Sequence, residues 1–277
     1  MTATTRLQAW IDGIGLIAPG LPDWPSAREV LAGRRPWQPA PSVLPAPLLL
    51  PPAERRRASR VIRVALALGQ EAVTHAGADA ASLTTVFAAS GADGHNCHAL
   101  CEQLASDDRQ ISPTRFHNSV HNAAAGYWGI ATHSMAPCQV ICAGDGSLGA
   151  GLLDAIAQVV LDQRPVLLVV YDSEYPEPLH TKRPTPDTAG LALVLSPQRS
   201  DRSLAHMAVG TGAALSAASL PATPLADPGL AQLQQALSLL PSLRLLPVLQ
   251  ALACHRSATV LTGYLPDLPL TVDLQPC

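Results

Sequence analysis

The sequence predicts an α/β fold, a mainly parallel mixed sheet with helices on both faces. Three observations carry that expectation. Gln139 to Asp172, QVICAGDGSLGAGLLDAIAQVVLDQRPVLLVVYD, reads as strand, glycine-rich turn, helix and second strand. Val61, Val64, Ala65, Leu68 and Ala72 fall on one stripe at helical spacing. Short apolar runs of strand character stand on either side of these segments, so strand and helix alternate along most of the chain.

In order, AWIDGIGLIAPG is an apolar strand ending in glycine and proline, and SAREVLAGRRP is a short helix with Ser26 as its expected N-cap. Ala40 to Arg57 is proline-rich and is expected to be a surface excursion without regular structure. The striped helix follows and stops at Gly77. TTVFAASGADG is a buried strand running into a glycine turn, and HNCHALCEQLAS is a helix. FHNSVHNAAAGYWGIATHS is a polar turn feeding a helix whose small residues, Ala123 to Gly126, suit a deeply buried position. After the strand-turn-helix-strand unit, DTAGLALVLSPQ adds a strand. From about Asp201 the pattern changes: HMAVGTGAAL is one more strand, a Leu-rich helical stretch is interrupted at Pro241 and Pro247, and ATVLTGYLP is a final strand. The expected organisation is residues 1–200 as the main body and 201–277 as an abbreviated extension packed on it, in one compact unit.

Composition narrows the function. Charged residues make up 14% of the 277 and hydrophobic ones 48%. Against about 25% charged in ordinary soluble domains, this points to apolar surface kept for a partner. A net charge of −3 provides no basic field for nucleic acid or anionic lipid. The opening residues lack the pattern of a secretory leader, and every apolar run is broken before spanning length, so the expected location is the cytoplasm. Six cysteines in a chain this long fit reduced thiols. Cys97, His98 and Cys101 with His95 suggest a metal, but no second Cys or His pair at zinc-like spacing follows, and no metal is expected.

Gly144, Gly146 and Gly149 fit G-x-G-x-x-G, and Asp172 lies where a ribose-binding acid would. A dinucleotide fingerprint, however, normally opens its domain, and this one follows 138 residues of other structure. The glycines have another use: Gly144 and Gly146 permit a tight turn, while Gly149 and Gly151 let the next helix run close through the centre. No cofactor is expected, and a nicotinamide dinucleotide at Gly144–Gly149 is the weakest alternative. The hydrolase elbow G-x-S-x-G fails too, since Asp145 stands two positions before Ser147.

Five segments in order carry a resemblance across roughly Trp10 to Gln198: IDGIGLIAPG with AREVLAGRRP, RVALALGQEAVTHAG, FAASGADGH, NSVHNAAAG and DTAGLALVLS. Together they resemble the N-terminal half of a β-ketoacyl synthase, a member of the thiolase-like superfamily. FHNSVHNAAAGYWGI and LLVVYDSE are similar to a short subfamily found with aryl polyene and related pigment biosynthesis. The resemblance implies a thiolase-like fold with its C-terminal half abbreviated.

It also implies a nucleophilic cysteine at the start of a buried helix, and counting from Pro137 that position is Asp145. A carboxylate cannot replace a thiol in acyl-thioester exchange, because it is a weak nucleophile and its anhydride product hydrolyses readily. Asp145 is expected instead to cap the helix near Ser147. Cys142, within the strand, is expected to fill the core, with displaced catalysis as the alternative. The family's two further catalytic histidines belong to its C-terminal half. Here His206 and His255 follow Ser200 without the motifs that surround them in synthases. No residue is therefore expected to be catalytic.

What the resemblance implies is a non-catalytic, chain-length-factor-like subunit that pairs with a complete β-ketoacyl synthase and shapes the tunnel for an acyl chain delivered by acyl carrier protein. The expected tunnel or interface residues are Phe116, His117, Val120, His121, Asn122, Trp128 and Asp172. An enzyme with unconventional acyl chemistry at Asp145, Cys142 or the His117/His121 pair is the alternative.

Overall fold

The computed structural model describes residues 6–211 and 223–277. Its strands are β1 (Leu7–Ile17), β2 (Thr84–Ala89), β3 (Cys138–Ile141), β4 (Val166–Asp172), β5 (Ala189–Ser196), β6 (Ala205–Thr211), β7 (Ala258–Leu265) and β8 (Leu268–Pro276). The helices are α1 (Trp24–Leu31), α2 (Pro52–Arg57), α3 (Arg60–Ala76), α4 (Gly94–Ala105), α5 (Pro113–His117), α6 (Ala123–Thr132), α7 (Ser147–Asp162), α8 (Leu179–Lys182), α9 (Ala231–Leu237) and α10 (Leu246–Ala253). Residues 212–215, part of an expected strand, lie outside the described residues.

All eight strands form one sheet in the order β3-β2-β4-β5-β1-β6-β8-β7, so strands from before and after residue 200 share it. The pairing corrects the expectation of a mainly parallel sheet. Only β2 with β3 and β2 with β4 are parallel; the other neighbours are antiparallel. The reason lies in the connections. Parallel neighbours need a long crossover, which the helices between β2, β3 and β4 supply. Between β4 and β5 the chain offers only the four-residue α8, so it turns back and runs antiparallel beside β4. After β7 it turns at Pro266 and Asp267 into β8, a strand that the short polar-apolar run LPLTVDLQP did not announce.

Side chains alternate across β4. Val166, Leu168 and Val170 join the cluster under α1, α7 and α10, while Leu167, Val169 and Tyr171 join the one under α3 and α6. Helix α3 carries the anticipated stripe and ends at Gly77, whose φ of 62° is the left-handed stop. Other local expectations change. Asp23, not Ser26, caps α1, by accepting from Ser26 N at 2.7 Å. The proline-rich excursion ends in α2, with proline in its first turn, and Leu50 anchors it in the core.

Glu71 of α3 ties two elements together, accepting from Leu16 N at 2.8 Å and Trp24 N at 2.6 Å. Burial raises its carboxyl from an ordinary 4.5 to about 7, against the pull of these two bonds. A folded-state pKa above the unfolded one means that the folded chain holds more protons between the two values. Stability from this group is therefore full below about pH 4.5 and is lost as pH rises through about 7. At about 1.4 kcal/mol per pH unit the loss is at most about 3.5 kcal/mol. Urea unfolding at pH 5 and pH 8 is expected to show it, and Glu71→Gln to flatten the difference.

Candidate functional site

The turn from β3 into α7 is built by glycine. Gly144 has φ 53°, and Gly144–Gly146 form a single 3₁₀ turn. Gly146 and Gly149 then bring α7 against β7: a Cβ on either would run into the carbonyl oxygens of Tyr264 and Gly263, respectively. Close packing, rather than a pyrophosphate, thus accounts for this spacing. Asp172 agrees with that reading. It is buried, accepting from Ser90 N at 3.2 Å, from Ser90 Oγ, and from Ser242 N at 2.7 Å. Burial pushes its carboxyl up, opposed by those donors. It is an internal brace between β2, β4 and the Pro241–Leu243 turn, which corrects its expected place at an interface.

Asp145 does not cap α7. The cap position is Gly146, with no side-chain bond, and Ser147 Oγ closes the turn by accepting from Ala143 N at 2.9 Å. The Asp145 side chain is 59% exposed and forms ion pairs with Arg183 and Arg244, each at 3.1 Å. Arg244 Nη1 also donates to the Asp145 carbonyl at 2.7 Å. Such exposed pairs contribute about 0–1 kcal/mol each, so their value here is positional. Two cations from distant parts of the chain hold a carboxylate over the turn. Replacing Asp145 with Leu would break these pairs rather than strand helix donors.

Cys142 follows β3 and is exposed, with Sγ 3.8 Å from Ser90 O. The core-filling expectation fails because β3 ends at Ile141, one residue short of it, on the edge of the sheet. His121 is partly buried, and its Nε2 lies 3.3 Å from Ile141 O, joining the loop before α6 to the end of β3. Phe116 and His117 at the end of α5, and Val120 and Asn122 on the loop that follows it, are exposed, with the His117 ring edge-on to Tyr127.

Trp128 is different. It is buried, its ring lies over Gly69 of α3, and it tilts against Phe87 at 6.4 Å. It belongs to the core and not to a tunnel or interface. Helix α6 as a whole buries one face, Ala124, Tyr127, Trp128 and Ala131, and shows Gly126 and Ile130 on the other, so it is not deeply enclosed. Of the later histidines, His206 lies tilted against Trp10, with ring centroids 4.9 Å apart, and His255 sits in an exposed turn after α10.

Some contributors carried no local signal. Arg183 and Arg244 lie 38 and 99 residues from Asp145. Tyr175 covers the Ser90–Gly94 loop, where a Cβ on Gly91 or Gly94 would strike its ring or hydroxyl; glycine spacing in SGADG was the only hint. Among the described residues no group of three or more His, Cys, Asp or Glu could hold a metal ion, and no helix is long and apolar enough to cross a membrane.

Residues 31–242 match the family model described as the N-terminal domain of β-ketoacyl synthases. The chain belongs to that family. A search of curated proteins found no match. Among solved structures, the chain is similar to the ketosynthase (ApeO) in complex with its chain length factor (ApeC) from Xenorhabdus doucetiae, at 21% identity and TM-score 0.67, covering 96% of this chain and 99% of that one. It is also similar to the ishigamide ketosynthase/chain length factor, at 16% identity and TM-score 0.67 over 99% of both chains. A β-ketoacyl synthase from Burkholderia phymatum matches at 11% identity and TM-score 0.67, covering 98% of this chain and 99% of that one. At these identities the likeness is one of thiolase-like fold.

Proposed function

We propose that this chain is a non-catalytic, chain-length-factor-like subunit. In this reading it pairs with a complete β-ketoacyl synthase and shapes the tunnel for a carrier-protein-bound acyl chain in polyketide or fatty-acid-like elongation of the aryl polyene type. One observation supports the reading: Arg183 and Arg244 hold the Asp145 carboxylate over the turn into α7, and in this reading Asp145, counted from Pro137, takes the nucleophile's place, where thioester exchange needs a thiolate. The domain reading goes with it, 1–200 as the synthase-like half and 201–277 as an abbreviated extension. The complexes of ketosynthase with chain length factor among its structural relatives support the kind of partner.

Purified alone, the chain is expected to release no condensation product from acyl and malonyl thioesters, and to support product formation when co-expressed with a complete synthase. Exposed Cys142 is what favours the alternative of unconventional acyl chemistry. Product from the isolated chain, lost in Cys142→Ala, would establish that alternative and remove the subunit reading.

A further inference from the structure

A cavity of about 680 Å³ opens between α1, α3 and the Pro45–Leu49 strap of the proline-rich excursion. None of its lining residues belongs to the Asp145 turn, the 116–122 loop or β3. Its volume lies within the roughly 300–1,000 Å³ of small-molecule sites. The wall is mostly apolar, with Trp24, Leu66, Ala67 and Pro47 among its members, and Leu48 and Leu49 of the strap are 70% and 49% exposed. The strap is nevertheless fixed: Leu50 is buried beside it, and Arg55 Nη2 donates to the Leu48 and Leu50 carbonyls, each at 3.0 Å. An apolar wall held open in this way is costly in water unless something covers it.

The polar groups say what kind of molecule would do so. Arg28 and Arg63 both line the cavity, and Arg63 Nη2 donates to Leu44 O at 2.8 Å. Two guanidinium groups in one mostly apolar wall favour a ligand that carries an acidic oxygen. His75, also in the lining, uses Nδ1 to accept from Ile14 N at 3.2 Å, so its neutral ring carries its proton on Nε2 as a second donor. The carboxylate already present, Glu71, is occupied by the two backbone N–H groups of Leu16 and Trp24. We infer that this cavity binds an amphipathic carboxylic acid, a single apolar chain or aryl body lying against α3 and the strap with its carboxylate on Arg63. Carboxylate and guanidinium then form a charge-assisted bond.

The inference is independent of the subunit reading, and its test uses the isolated full chain. Calorimetric titration with dodecanoate is expected to saturate at one equivalent. Dodecanol is expected to bind at least tenfold more weakly, as is dodecanoate to Arg63→Gln. Because Arg63→Gln also loses the bond to Leu44, Ala67→Phe provides a second probe: it fills the cavity without touching that bond and is expected to abolish binding with the circular dichroism spectrum unchanged. No saturable binding to the folded wild type overturns the inference. So does dodecanoate binding that neither variant weakens, or dodecanol binding equal to that of dodecanoate.

Discussion

Gly149→Ala is expected to destabilise the folded chain by about 3 kcal/mol or more, and Gly126→Ala to stabilise it by about 0.5–1 kcal/mol. The same atom is added to a helix in both cases, and the surroundings decide the sign. At Gly149 the new Cβ meets the Gly263 carbonyl oxygen and lies 3.2 Å from Tyr264 Cα, so either β7 or α7 must shift. Neither can move freely, because α7 is buried beneath β2 and β4 through Leu148, Leu152 and Ile156. Backbone does not yield as a flexible side chain does, which places the cost at the upper end for overpacking. At Gly126, inside α6, nothing lies within 4 Å of the added atom, so only the helix-propensity gain remains. Chemical denaturation of the three proteins measures both effects. A Gly149→Ala protein as stable as wild type would mean that the helix and β7 are not packed as described.

That contrast shows which parts of the sequence were legible. Glycine at 149 and 151 signalled a helix running close to its neighbours, since nothing else in the chain explains such residues mid-helix. Glycine and alanine at 123–126 gave the same signal for α6 and were misleading, because small residues also suit a helix with one solvent face. Patterns of period 3.6 and 2 located α3, β4 and β5 because burial there depends on near neighbours in sequence. Strand direction was not legible in the same way. It depends on what the connection can span, and the Ser173–Thr188 segment reads as a loop whether or not a crossover is needed. The site divides along the same line. That position 145 carries a carboxylate could be read directly, whereas the arginines that hold it come from distant segments brought together only by the completed sheet. Trp128 and Asp172 were misassigned for a shared reason: an aromatic or an acid near a functional turn resembles a contact residue, yet each is a buried brace.

Charge placed on the exposed loop and the outer face of α6 is expected to separate this chain from its proposed synthase partner, while charge at Trp128 is expected to unfold it. Phe116, Val120, Ile130 and Met135 are 66%, 53%, 41% and 96% exposed. Met135 lies just before β3, a short strand at the edge of the sheet that among the described residues pairs with β2 alone. Large apolar side chains beside an open sheet edge form a surface that association would cover. At about 25 cal/mol per Å² of apolar area, an obligate interface of roughly 2,000 Å² has a driving force that outlasts the entropy of association. An aspartate introduced near the centre of such a contact has to be desolvated without a partner. The expected loss is then on the order of 2–4 kcal/mol, or a 30- to 1,000-fold weaker complex. Val120→Asp and Ile130→Asp should leave the isolated chain folded, since both positions already face solvent. Trp128→Asp should not, because emptying so large a buried site costs about 3–5 kcal/mol before the charge is counted. Size exclusion with light scattering on the co-expressed pair separates the outcomes. Wild type is expected to run as a 1:1 complex, with the two surface variants running as free, folded chains. A wild-type chain that stays monomeric in the synthase's presence, or surface variants that still co-elute with it, would move the contact elsewhere or remove it.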